Sequence, residues 1–154
     1  MEIRPIDPEE LRAFVEATGR AFGLPVPDEP SLTDDLATLE ADRCFAAYED
    51  DAIVGTTATY SLRTRVPGGA PVPTAGITGV GVLPTHRRRG ILTRLMTLAL
   101  DQAVERGEPL SSLLASEAAI YGRYGYGVAS WNWMYDVDAT RSAFHRYAGV
   151  SWTM

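Results

Sequence analysis

Lysine is missing from this chain: all 14 basic residues are arginine. Every basic site is therefore permanently charged and fork-shaped. Cysteine is nearly missing too. Cys44 stands alone, so no internal disulfide can form, and a reducing, cytoplasmic setting is expected. No apolar run reaches 18 residues, which excludes a helical membrane span. The start, MEIRPIDPEE, lacks the basic and apolar regions of a signal peptide. A net charge of −6 leaves no overall field to hold a nucleic acid. Internal repeats and low-complexity tracts are absent, and no metal is expected.

What is there is an ordinary globular mix, 45% hydrophobic and 22% charged, over 154 residues, enough for one domain with a real core. The charge is uneven. Residues 1–50 carry 13 acids against 4 arginines, and residues 51–154 carry 7 against 10. An anion site therefore belongs in the second part. The acidic first part reads as solvated surface, though a polyamine substrate suits it.

The chain alternates strand and helix signals. EIRPI reads as a first strand. A helix follows from Asp7 as N-cap and Pro8 at the first position, with Leu11, Phe14, Val15 and Phe22 at helical spacing and Gly23 ending it. SLTDDLATLEADR predicts a second helix capped by Ser31. CFAAYEDDAIVGTTATYSL predicts a hairpin turning at Glu49 to Asp51. Residues 65–76, RVPGGAPVPTAG, read as an exposed loop. ITGVGVL, residues 77–83, is a buried strand with Gly79 and Gly81 inside it, marking a bulge or a close approach. A long helix then carries Leu92, Leu95, Met96, Ala99 and Ala103 on one face, up to Gly107. PLSSLLA is a short strand, and the unit spanning 77–115 is expected to be parallel. SEAAIYGRYGYG is a brief, glycine-frayed helix. VASWNWMYDVDA alternates as a strand, TRSAFHRYAG predicts a last helical turn or two, and VSWTM starts another strand, one that reads as unfinished. The sum is a mixed α/β chain around one sheet.

Three arginines, Arg87, Arg88 and Arg89, precede Gly90 where the glycine-bearing strand turns into the long helix. Helix starts prefer acids, because their first amides are unpaired and the macrodipole is positive there. Arginines at that place make sense when a polyanion supplies the missing negative charge. A P-loop is excluded by the missing Gly-Lys-Ser/Thr ending. The glycines of GITGVG lie inside the strand rather than at the turn, so a dinucleotide fingerprint is a poor match.

VGVLPTHRRRGIL resembles the acetyl-CoA-binding motif of the GNAT N-acetyltransferases, Arg/Gln-x-x-Gly-x-Gly/Ala, with Leu92 where Gly or Ala is usual. With PTAG and ASEAAIYGRYGYGVAS it is similar to the Eis (enhanced intracellular survival) subgroup over residues 73–130. The resemblance implies the GNAT fold: a mixed, mostly antiparallel sheet flanked by helices, with splayed central parallel strands. It implies acetyl-CoA as cosubstrate, its pantetheine along the backbone of Val80 and Val82. The pyrophosphate would sit on Arg87, Arg88, Arg89, Gly90, Ile91 and Leu92, with Ser116 near the thioester end. It implies transfer to a primary amine, an aminoglycoside-type or other polyamine among the suggested acceptors.

The thiolate leaving group needs an acid, and three tyrosines, Tyr121, Tyr124 and Tyr126, cluster together. Their residue types alone do not choose among them; the resemblance selects Tyr121. His86 and His145 read as turn and surface residues, Cys44 as a buried small apolar group, and Trp131, Trp133 and Trp152 as core or interface. In the resembling subgroup the base is a terminal carboxylate of a much longer chain, so none is assigned here. Residues 1–154 are expected to form one domain, standing alone or as the N-terminal part of a longer protein. A homo-oligomer stays open, and a catalytically silent acyl-CoA-binding module is the alternative to an enzyme.

Overall fold

The computed structural model describes residues 1–131, 133, 135–138 and 140. Five strands, β1 (Glu2–Pro5), β2 (Cys44–Glu49), β3 (Ala52–Arg65), β4 (Pro71–Val82) and β5 (Leu110–Leu113), form one sheet in that order. Neighbours are antiparallel from β1 to β4, and β4 and β5 are parallel. Among the described residues four α-helices accompany them: α1 (Leu11–Phe22), α2 (Glu29–Thr38), α3 (Ile91–Glu105) and the single turn α4 (Ala118–Tyr121). This is the mixed sheet flanked by helices that the sequence implies.

The two sheet faces are covered by different helices, and β2 shows how. Its side chains alternate, so Cys44 and Ala46 join Phe14 and Ala17 of α1, while Phe45 and Ala47 join Ile91 and Leu95 of α3. A strand buried on both faces reads as a continuous apolar run, as CFAA does. Below α3, Arg43 is fully buried and forks onto Glu108 at 2.8 and 2.6 Å, and it also donates to Ser61 Oγ at 2.7 Å. That pair ties the turn after α3 to the start of β2.

Three expectations need correction. Helix α2 is capped by Asp28, whose carboxylate accepts the Ser31 N–H at 3.0 Å. Pro30 lies in the first turn, where a missing N–H costs nothing, so the helix begins before Ser31. The Pro/Gly-rich stretch 65–76 is mostly strand. Only residues 66–70 turn, and β4 starts at Pro71, opposite Arg65. β5 begins opposite Thr74, so at Pro71 and Pro73 the absent N–H faces no second neighbour. Residues 126–131 form no strand, nor do the described ones beyond, and Trp131 and Trp133 are 83% and 82% exposed rather than core. The aromatic period is there, but among the described residues no strand pairs with it. The expected helical turn over 140–149 and the strand over 150–154, with His145 and Trp152, lie outside the described residues apart from Thr140.

Candidate active site

The ladder between β4 and β5 runs from Thr74↔Leu110 to Ile77↔Leu113 and stops. β4 continues to Val82, and in its last five residues Thr78, Gly81 and Val82 pair with β3 alone among the described residues. The peptide groups there that face away from β3 have no ladder partner among the described residues. A bulge sharpens the departure: the register with β3 shifts between Thr56 and Ala58, opposite Gly79 at φ 56°. Thr56 Oγ1 donates to Gly79 O at 2.8 Å and holds the bulge. Gly81 answers a close approach, since a Cβ there would stand 2.7 Å from the Ala21 Cβ of α1.

The gap opens into a cleft of about 700 Å³, large enough for a sizeable ligand. One wall is Val80, Gly81 and Val82 with Ala21 and Phe22 of α1. The floor is the start of α3 with Gly90, Ile91 and Leu92, and the other wall is Ser116, Glu117, Ile120, Tyr121 and Arg123. Helix α3 opens on Gly90 at φ 77°, with no side-chain cap and no acid in its first turn. Arg88, also in the cleft, sits at φ 61°, a conformation that costs a residue with a Cβ about 1–2 kcal/mol. An uncapped helix start, a left-handed arginine beside a left-handed glycine, and Arg87 and Arg88 in the lining suit a polyanion.

The predicted arginines part company here. Arg87 and Arg88 line the cleft, and Arg87 Nε reaches Val82 O at 3.4 Å. The Arg89 side chain is absent from the lining and forks onto Glu49 at the end of β2. Of the three side chains expected to face one anion, those of Arg87 and Arg88 line the cleft and that of Arg89 does not. Glu49 is the reason: the tight hairpin holds its carboxylate beside the turn, and Arg89 and His86 together keep it ionised down to about 2. Val80, Val82, Gly90, Ile91, Leu92 and Ser116 all line the cleft. Of the helix face, Leu92 is only half-buried, while Ile91 replaces it in the core.

The three tyrosines are also told apart. The Tyr124 hydroxyl faces Thr93 Oγ1 at 3.3 Å, and the Tyr126 hydroxyl bonds Ser111 Oγ of β5. Tyr121 is buried, lines the cleft, and its hydroxyl has no hydrogen-bond partner among the described residues. Burial raises its pKa, and the Glu117 carboxylate adds to the rise. The phenol stays protonated at neutral pH.

Two parts of the site escaped the sequence reading. Arg123, two residues past Tyr121, adds a cation to the wall opposite Arg87 and Arg88. A second, smaller pocket of about 180 Å³ lies between α1, α2 and the sheet. Thr18, Asp35, Tyr60, Thr78 and Gly79 are in its lining, so it borders the same bulge. Neither carries a motif; both depend on which elements meet. Among the described residues there is no cluster of three His, Cys, Asp or Glu that could hold a metal, and no helix long and apolar enough to cross a membrane.

A strand that leaves its parallel neighbour to open a cleft over an arginine-bearing helix start defines an acyl-CoA transferase fold. Residues 2–129 match the acetyltransferase (GNAT) domain family, and the chain belongs to that family. It is 44% identical over 142 residues to an uncharacterized N-acetyltransferase of Streptomyces avermitilis, covering 91% of this chain and 34% of that protein. The crystal structure of Eis1 from Mycobacterium abscessus superposes with a TM-score of 0.73 at 39% identity, over 82% of this chain and 32% of that one. The same fold recurs, at 20% identity and a TM-score of 0.71, in a predicted acetyltransferase of Clostridium acetobutylicum solved with acetyl-CoA; the match covers 87% of this chain and 95% of that one. The chain spans about a third of the length of the curated relatives it matches.

Proposed function

We propose that this chain is the acetyl-transfer domain of an acetyl-CoA-dependent N-acetyltransferase acting on a primary amine, and that residues 1–154 serve as one domain of a longer enzyme. The observation that carries the reading is the cleft at the end of the β4–β5 ladder. Its uncapped, arginine-bearing helix start and an uncommitted phenol line one continuous space.

In this reading the peptide groups of Val80 and Val82 hold the pantetheine as a strand would. Arg87 and Arg88 and the amides of Gly90, Ile91 and Leu92 hold the pyrophosphate, and Ser116 lies toward the thioester. Bound acetyl-CoA supplies an activated acyl group with a thiolate as its leaving group. Unpaired peptide N–H groups of β4 then stabilise the developing oxyanion, a kind of donor whose loss costs about 10²–10³ in rate. Tyr121 holds the proton that the departing sulfur needs. With ordinary values of ~10 for the phenol and ~8.5 for a thiol, that transfer is about 2 kcal/mol uphill, so the tyrosine assists rather than drives the step.

In this reading the acceptor enters from the smaller pocket, whose lining includes Asp35 and Gly79. Asp28, Glu29, Asp34 and Asp35 cluster on and before α2, which favours a polycationic amine of aminoglycoside or polyamine type. A protonated amine is drawn there by charge and must lose a proton before it attacks.

The test measures binding and turnover separately. Calorimetry with CoA and a thiol-release assay over a broad amine panel should give binding and turnover, with polyamines ahead of monoamines. Binding without turnover on any amine would assign a silent acyl-CoA-binding module. Absence of CoA binding would remove the reading entirely.

A further inference from the structure

Three consecutive arginines need not share one task. We infer that Arg89, with Glu49 and His86, forms a brace that holds the Arg87–Gly90 turn in its anion-receiving shape, and that Arg89 positions the site without touching the ligand. The inference rests on the acetyl-CoA reading above and concerns how that cleft is kept in form.

The turn has little of its own to hold it. Between β4 and α3 the backbone makes a short 3₁₀ turn over Pro84–His86, with His86 N donating to Leu83 O at 2.8 Å. It then passes through Arg88 at φ 61° and Gly90 at φ 77°. A left-handed arginine persists only where its surroundings over-determine it.

Glu49 supplies that determination from a rigid base. It closes the β2–β3 hairpin opposite Ala52, across a two-residue turn in which Asp50 and Asp51 both have positive φ. One carboxylate then grips both ends of the strained segment. Glu49 Oε2 accepts from His86 Nε2 at 2.8 Å and from Arg89 Nη1 at 3.0 Å, and Oε1 accepts from Arg89 Nη2. Arg88, the strained residue, lies between the two gripped positions. A carboxylate only accepts, so His86 carries its proton on Nε2, and its Nδ1 faces Thr85 Oγ1 at 2.7 Å. The two parallel bonds to Arg89 fix orientation as well as distance.

The division of labour follows from direction. Arg87 and Arg88 line the cleft and Arg89 does not. Its charge is matched by Glu49, so the arginines that face the cleft are Arg87, Arg88 and Arg123, with Glu117 the carboxylate among them.

The experiment compares Glu49→Ala, Glu49→Gln, Arg89→Ala and the double variant Glu49→Ala/Arg89→Ala in this chain. Each single loss is expected to weaken CoA and raise the KM for acetyl-CoA roughly five-fold, the scale of a partly exposed bidentate pair, with kcat unchanged. The double variant should be no worse than either single one, and Glu49→Gln, which keeps an acceptor, should fall between. If Arg89→Ala adds to Glu49→Ala, Arg89 meets the ligand itself and the inference is wrong. Equal CoA affinity in all variants overturns it too.

A second readout needs no ligand. The backbone order parameters of residues 87–90, measured by NMR, should drop in Glu49→Gln at unchanged melting temperature. Unchanged order sinks the brace, whereas a wild-type chain that ignores CoA sinks the functional reading and leaves this comparison to judge the brace alone.

Discussion

Tyr121 and Tyr126 stand edge to face, with ring centroids 6.0 Å apart and planes at 75°, and their hydroxyls have different fates. Tyr126 is tied to Ser111 of β5, so it anchors the segment after α4 to the sheet. Tyr121 packs against that ring and lines the cleft, and its hydroxyl has no hydrogen-bond partner among the described residues. The expected consequence is a clean separation in mutants. Tyr121→Phe should lower kcat by about 10²–10⁴ and leave CoA affinity nearly unchanged. A rate equal to wild type would end its role as acid.

As the proposed acid, the same phenol would set a pH dependence. In that role it works protonated, and both burial and Glu117 raise its pKa above the ordinary 10.0. Activity is therefore lost as pH rises through that raised value, and an alkaline limb is expected above pH 10. Glu117→Gln removes the neighbouring negative charge and should move the limb to lower pH. A kcat profile on both proteins checks it; a limb that stays in place would detach Glu117 from the titration.

In the proposed role Arg88 acts on phosphate, and charge can be separated from backbone. Arg88→Ala should weaken CoA by roughly ten- to a hundred-fold, as for loss of a charged hydrogen bond, and leave pantetheine binding untouched. Arg88→Gly fits the positive φ without strain and should melt no lower than wild type while binding CoA as poorly. Equal weakening of CoA and pantetheine would argue against a phosphate seat.

Gly81 is required by contact rather than by turn geometry. Gly81→Ala sets a methyl 2.7 Å from Ala21 and pushes α1 off the sheet, at an expected cost of about 1–3 kcal/mol. Gly127→Ala, with open space around it, should stay within about 0.5 kcal/mol. Urea denaturation of the two variants measures the difference.

Arg43 and Glu108 form a buried pair, and breaking one side is worse than removing both. Arg43→Ala leaves Glu108 uncompensated and should cost about 3–5 kcal/mol, while Arg43→Met with Glu108→Leu should recover most of it. A double variant no more stable than Arg43→Ala would contradict this.

What could be read from residue order was whatever is local. The helix of Leu95, Met96, Ala99 and Ala103, the hairpin at Asp50 and Asp51, and the two left-handed glycines that end α1 and follow α3 all announce themselves within a few positions. Pro71 and Pro73 misled, because whether a proline breaks a strand depends on which side has a neighbour, and that is a property of the sheet. Arg89 misled for the same kind of reason: its partner is 40 positions away. The choice among the tyrosines needed a resemblance, since only the folded chain shows which hydroxyls already have partners. Arg123 and the pocket at Asp35 become visible only when the turn after α4 reaches the cleft and α2 packs against α1.

The place where β4 leaves β5 has one more implication. A guest held there through peptide groups reads the main chain and not the side chains, so Val80 and Val82 can be exchanged for other strand-forming residues with little effect on affinity. The glycine between them has no such freedom. Variation among relatives should therefore alternate along those three positions, tolerant, strict, tolerant, and an aligned set of sequences would reveal the groove without any ligand in hand.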